Sequence, residues 1–292
     1  MKKTILWALL VPSMASYAVL ANAESEPTSL VPNAGAYLGF GFNAHSTRFN
    51  DQDVTATGTS VVTNSTTHAA VSSGTAGGPA VGIDLNTVNA YAPSIQAGYF
   101  EKWQNSNYLW GSKFTYSYLG GSTATNDFIR IPQYGAYANG TPFTGNAIAS
   151  SYQKTIKHQM SLIPYLGQAF ERSTVYLGAG PTLSQVNTKI NNLVGFADLN
   201  GVRTDISGVA QNFSDTQWVI GATAMLGGSY YLNNTLFLDI NYSYSMTKNK
   251  TSNYYSTFHN VSSPNTYDGE LIGSSTGTAT VQSIGISINK LF

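Results

Sequence analysis

Residues 236–246 read LFLDINYSYSM, and their parity decides the fold. On an extended chain Leu236, Leu238, Ile240, Tyr242, Tyr244 and Met246 share one side; Phe237, Asp239, Asn241, Ser243 and Ser245 share the other. A period of two marks a strand whose two faces meet different surroundings. Working outward, AYLGFGFNA (36–44) sets Ala36, Leu38, Phe40, Phe42 and Ala44 against Tyr37, Gly39, Gly41 and Asn43. YLWGSKFTYSY (108–118) sets Tyr108, Trp110, Phe114, Tyr116 and Tyr118 against Gly111, Lys113, Thr115 and Ser117. Segments 156–167 and 175–184 repeat the pattern. Segments 93–100, 218–229 and 280–292 carry weaker versions, with Val219 and Met225 on the polar parity and Gln282 on the oily one.

Alternation alone also fits a soluble β-sandwich. Three features choose a membrane instead. The segments run about 9–11 residues, the length a tilted strand needs to cross a bilayer core, whereas soluble strands peak near 5–6. Short of the C-terminal turn, their only charged residues are Lys113, Lys157 and Asp239, all on the polar parity. A lysine facing lipid near the midplane costs about 2–4 kcal/mol. Finally, short connections (101–107, 168–173, 232–234) alternate with long ones (44–89, 119–153, 185–215, 247–277), the layout of periplasmic turns and external loops. The expected fold is all-β: an eight-stranded antiparallel up-and-down transmembrane β-barrel over residues 34–292, with four long extracellular loops. Ten strands result if the stretch around Val81 to Val88 adds two more.

Composition agrees. Only 10% of the 292 residues are charged, against about 25% in an ordinary soluble domain. Beyond the N-terminus there is no apolar run of roughly 18 residues, as a membrane helix would need. Gly (28), Tyr (19) and Phe (13) favour strands and turns. The absence of Cys excludes disulfides, thiolate metal sites and a cysteine nucleophile. Balanced charge, 14 basic and 14 acidic residues, argues against nucleic acid. Residues 1–23 begin with Lys2 and Lys3, continue apolar to about Leu20 and end Ala21-Asn22-Ala23, a cleaved signal peptide. Pro12 and Ser13 oppose the alternative, a single membrane anchor. Residues 24–33 would form a periplasmic lead-in. The mature chain has 12 basic and 14 acidic residues, a net charge of −2.

The signal peptide, the Gly-aromatic AYLGFGF, the eight alternating segments and the ending GISINKLF resemble the small outer-membrane barrels of the OmpA, OmpX and Opa type, across essentially the whole mature chain. The resemblance implies a Gram-negative outer-membrane location, a lipid and lipopolysaccharide surround, and insertion by the barrel-assembly machinery. It also implies that Phe292 with Ile284, Ile286 and Ile288 forms the assembly signal, from which Lys290 departs. The sequence reads as stopping at the barrel, so an OmpA-type peptidoglycan-binding domain is not expected. Members include adhesins, enzymes and narrow channels, so the task is open.

Candidate sites follow from the polar parity and the loops. Lys113 and Asp239, at similar heights on opposite strands, predict a lumenal ion pair, with Gln96, Gln159, Tyr165 and Asn241 as polar support. Loop one, from His45 to about Val88, is Ser/Thr/Gly/Ala rich and reads as mobile and solvated. Loop two carries Phe128, Arg130, Tyr134, Tyr137 and Phe143; loop four carries Tyr254, Tyr255, Phe258 and Tyr267. These aromatics suit protein recognition or mutual packing. His45, His68, His158 and His259 are too dispersed for a metal site, and neither a metal nor a cofactor is expected. His158 or His45 beside Asp51, Asp127 or Asp215 would be the material of a rim enzyme. The expected function is a non-enzymatic surface protein with a structural or adhesive role toward a host or cell-surface protein; the rivals are a porin or narrow channel and the rim enzyme.

Overall fold

Every period-two segment forms a strand, and most of those strands continue far beyond the length that crosses a bilayer. The computed structural model describes residues 29–120, 123–199, 201–205, 207 and 209–292, and among these there is no helix. The signal-peptide expectation for residues 1–23 lies outside the described residues. The strands are β1 (Ala34–Asn64), β2 (Ala70–Gly77), β3 (Val81–Ile83), β4 (Val88–Lys102), β5 (Tyr108–Tyr118), β6 (Thr123–Asn126), β7 (Ile129–Tyr137) and β8 (Pro142–Ala149). They continue with β9 (Ser151–Ala169), β10 (Ser173–Leu199), β11 (Val202–Asp205), β12 (Gln211–Asn233), β13 (Leu236–Thr247), β14 (Ser252–Ser262) and β15 (Asn265–Leu291).

Eight of them close a ring in the order β1, β4, β5, β9, β10, β12, β13, β15, every neighbour antiparallel. The ring shuts where β1 pairs with β15, from Tyr37 opposite Leu291 upward. Closure leaves no edge whose N–H and C=O groups would face hydrocarbon unpaired. The ring has eight members, not ten: β3 attaches to β1 through Gln52–Val54 and does not enter it. Parity is as the sequence implies. Leu38, Phe40, Phe42, Leu177, Ile220, Ile240, Met246, Ile284, Ile286 and Ile288 are exposed around the outside. Tyr99, Tyr108 and Trp110 border this belt at the short-turn end, and Tyr118, Trp218 and Tyr244 border it at the other, the positions of interfacial girdles.

The long connections are not loops. β1 runs for 31 residues, and β10 and β15 for 27 each, where about 9–11 suffice to span the core. Their upper halves and the short strands build a crown above the membrane. β1 pairs with β2, β2 with β7, β7 with β8 and β8 with β10, while β14 pairs with β15. Between β12 and β14 the crown is joined by side chains: the Phe213 and Tyr254 rings lie 4.9 Å apart, and Ser256 Oγ donates to Gln211 Oε1 at 2.8 Å. Loop one is therefore corrected from mobile coil to strand. Its Val-Thr-Ala-Thr alternation buries Val54 and Ala56 while β15 supplies a ladder partner for every residue from Asp53 to Asn64.

β-Bulges let the strands change phase between barrel and crown. Inward residues of β1 are odd up to Phe49; after the irregularity between Asn50 and Asp53 they are Gln52, Val54 and Ala56. Lys157 sits in such a bulge, opposite the Gln185/Val186 step, and is exposed, which corrects its expected place on the polar face. Because Ile240 faces the lipid at mid-strand, Ile240→Arg should cost about 2–4 kcal/mol in a urea titration of the vesicle-inserted protein. Replacing Ser243, on the opposite parity, with Arg should give a depth-independent effect of a different origin, packing inside the bore.

Candidate functional site: a plugged bore beneath an aromatic-lined crown

The bore is filled from bottom to top. At the short-turn end Val31 of the lead-in packs with Tyr37, Phe100, Leu109, Ile163, Tyr165, Tyr176, Met225, Tyr231, Phe237 and Leu291. The lead-in is held by Leu30 N–H donating to Glu171 O at 2.8 Å and by Lys102 N–H donating to Asn33 O at 2.7 Å. Glycines on the inner face make room for the rings: a Cβ at Gly227 would collide with the Tyr176 ring, and one at Gly98 with Tyr37.

Within this layer Lys113 Nζ lies 2.8 Å from Asp239 Oδ1, both side chains fully enclosed. The structure therefore brings the two expected partners together, and it adds a third. Lys113 Nζ donates to Tyr176 Oη at 2.6 Å, and Tyr176 Oη donates to Asp239 Oδ2 at 2.8 Å. Ser229 Oγ and Asn241 Nδ2 each donate to the same carboxylate at 3.0 Å. Such saturation is what a buried ion pair requires, since desolvating two charges costs several kcal/mol per ion. Of the four expected supports only Asn241 touches the pair. Tyr165 packs its ring 5.0 Å from Tyr176. Gln96 belongs to another layer, donating to Ser287 Oγ and Asn289 Oδ1, and Gln159 to a further one, donating to Ser184 Oγ at 3.1 Å. Tyr176 and Ser229 were not anticipated, although both lie on the polar parity of their strands.

Above come hydroxyl layers, in which Ser161, Thr182, Thr223 and Ser245 bond one another, and then an apolar layer of Phe49, Leu119, Ile156 and Val281. The crown has a core of its own, including Val54, Ile129, Ile131, Tyr152, Ile190, Leu193, Tyr254 and Leu271. Toward its top lies a cavity of about 80 Å³, walled largely by Tyr137, Phe143, Phe196, Phe258, Tyr267 and Ala147. Four of the expected loop residues, Tyr137, Phe143, Phe258 and Tyr267, thus face inward and Tyr254 is core. Phe128, Arg130, Tyr134 and Tyr255 remain on the surface, Arg130 Nε donating to Asn146 Oδ1 at 2.7 Å. The FIRI run explains the division: Ile129 and Ile131 turn in, so Phe128 and Arg130 turn out.

Three of the four histidines stand in different surroundings. His158 Nδ1 lies 2.8 Å from Tyr116 Oη, its ring among Tyr118 and Trp218 in the girdle. His45 is buried in the bore. His259 Nδ1 lies 2.5 Å from Asp268 Oδ1, an exposed pair across β14 and β15 that sequence spacing did not reveal. At the C-terminus Ile284, Ile286, Ile288 and Phe292 all face outward, and Lys290 Nζ sits 5.6 Å above the Phe292 ring.

A closed ring with an apolar belt and a polar-and-packed interior defines a transmembrane β-barrel. No family model matches the chain, and no curated protein resembles it in sequence. Among solved structures it is similar to the outer membrane protein OprG from Pseudomonas aeruginosa, at 8% identity over 87% of this chain and 98% of that one, with a TM-score of 0.32. It is also similar to Neisserial surface protein A, at 14% identity over 82% and 95%, TM-score 0.27. Ail, the attachment invasion locus protein of Yersinia pestis, follows at 8% identity over 82% and 98%, TM-score 0.24.

If Lys113 and Asp239 act as one unit, Lys113→Met and Asp239→Leu should each destabilise by about 3 kcal/mol, because each strands a buried charge. The double variant should cost less than their sum by at least about 1 kcal/mol in equilibrium unfolding. Strict additivity would show that the two charges do not couple.

Proposed function

We propose that the chain is an outer-membrane surface protein that works by recognition through its crown, in a structural or adhesive role toward a host or cell-surface protein, with no bond made or broken. The observation that carries this reading is the filled bore beneath a strand-built crown: among the described residues, packed side-chain layers occupy the ring from its base to the crown, while more than half of β1 stands above the span. Ladders of the crown carry the exposed Tyr134 and Tyr255, with the exposed Phe128 immediately before β7, and pre-ordered aromatics bind partners at low entropic cost. Within this reading the lipid and lipopolysaccharide are the surround, and the outward Ile284, Ile286, Ile288 and Phe292 present the assembly signal to the barrel-assembly machinery. The combined variant Phe128→Ser, Tyr134→Ser, Tyr255→Ser should lower whole-cell adhesion about tenfold while leaving strand content unchanged, and the purified parent should give no steady conductance in planar bilayers. Steady conductance with adhesion unaltered in the variant would instead favour the porin.

The aromatic-walled cavity supports a second reading, in which the crown holds a small apolar molecule. Ala147→Phe would then abolish uptake of an apolar gas or dye and raise the Tm by filling the space; unchanged uptake would remove this reading.

A further inference from the structure

Where barrel meets crown, a second chamber mixes polar and charged side chains with apolar ones. Lys154 on β9, Thr188 on β10 and Asp215 on β12 stand in one row, Lys154 opposite Thr188 and Thr188 opposite Asp215. Lys154 is 4% exposed, and among the described residues its ammonium has no hydrogen-bond acceptor and no carboxylate within ion-pair distance. Asp215, the one carboxylate acting on it, is instead bonded by the Gln217 amide nitrogen. Lys154 lines a chamber together with Thr188, Ser252, Lys250 and Gln217, whose Oε1 is buried without a hydrogen-bond partner, against an apolar wall that includes Phe49 and Val219. The Thr188 and Ser252 side chains are buried. Lys250 belongs to the exposed connection at 248–251, Lys-Asn-Lys-Thr, so the chamber meets solvent beside a second cation. Its open space of about 20 Å³ admits one water or one monatomic ion.

An ammonium on so enclosed a side chain, reaching only the chamber and without an ion-pair partner, is costly, and the usual remedies are a carboxylate or a bound counter-ion. The chain supplies the first to Lys113, through Asp239, and withholds it from Lys154. We propose that this chamber binds one small inorganic anion of halide size, held by Lys154 with the Thr188 and Ser252 hydroxyls and approached past Lys250. Burial lowers the Lys154 ammonium to about 8, Asp215 offsetting part of the effect, so the group is charged at neutral pH and gains from a counter-ion. The anion ties β9, β10 and β14 together at the base of the crown, which extends the recognition role to a salt-dependent rigidity of the surface that performs it.

Bromide tests this on the full chain in detergent, with sodium bromide replacing sodium gluconate at constant ionic strength so that screening is unchanged. The Tm of the parent should rise by about 3 °C as the site fills. Lys154→Met, which keeps the apolar stem, and Ser252→Asp, which supplies a fixed counter-charge, should both abolish the rise; Lys290→Met, at the opposite end of the barrel, should retain it. Anomalous scattering from bromide in crystals should place the ion against Lys154 Nζ. A parent Tm indifferent to bromide, an equal rise in the Ser252→Asp variant, or bromide only elsewhere would overturn the proposal. Should Lys154→Met fail to fold, Ser252→Asp and the anomalous map decide alone.

Discussion

The structure depends on one constraint: in hydrocarbon a backbone amide has no solvent partner, so a sheet that enters the membrane must close. The β1–β15 ladder is where closure happens, joining the first described strand to the last. Once the ring is shut, every side chain is assigned by parity to lipid or bore, and the composition follows. Outer positions of the belt are mainly apolar or aromatic, Gln282 being an exception, and charge is confined to the inside or to the rims. The low charged fraction of the chain is a direct consequence, since a large part of its surface meets no water.

Closure at eight strands then makes the interior a packing problem. A ring this small holds only side chains, and this one fills itself with layers: a tyrosine-rich base around Lys113, Tyr176 and Asp239, hydroxyl networks, an apolar layer, and the crown core. The ion pair is tolerable because its remaining bonding capacity is met by Tyr176, Ser229 and Asn241. Glycines opposite the tyrosines, Gly227 and Gly98 above all, are the complement of those rings. The same antiparallel ladders that seal the membrane span continue upward, so the crown inherits rigidity from the barrel. That continuity of ladders, more than any single residue, distinguishes the crown from a set of tethered loops.

The barrel was legible because its signal is local. LFLDINYSYSM shows its two faces without reference to any partner strand, and the heights of Lys113 and Asp239 can be counted from the turns. The crown was not legible, because its order lies in pairings between distant segments, such as β2 with β7 and β8 with β10, that no periodicity announces. Bulges near Asn50, Lys157 and Ile190 reverse the phase midway along three strands, so a parity carried up from the membrane misassigns what lies above. Lys157 was misplaced for that reason. Tyr176 was passed over because a tyrosine on the polar parity gives no sign of which charge it will bridge. His259 and Asp268, nine residues apart, meet only because a hairpin folds between them.

The central claim is that alternate residues of each ring strand face hydrocarbon and a packed bore. The chain has no cysteine, so single cysteines introduced in turn from Leu236 to Met246 can carry a nitroxide label in the bilayer-inserted protein without background. Collisional relaxation by dissolved oxygen, which concentrates in lipid, should oscillate with a period of two and peak at 236, 238, 240, 242, 244 and 246. A flat profile, a helical period, or maxima at 239 and 241 would contradict the account.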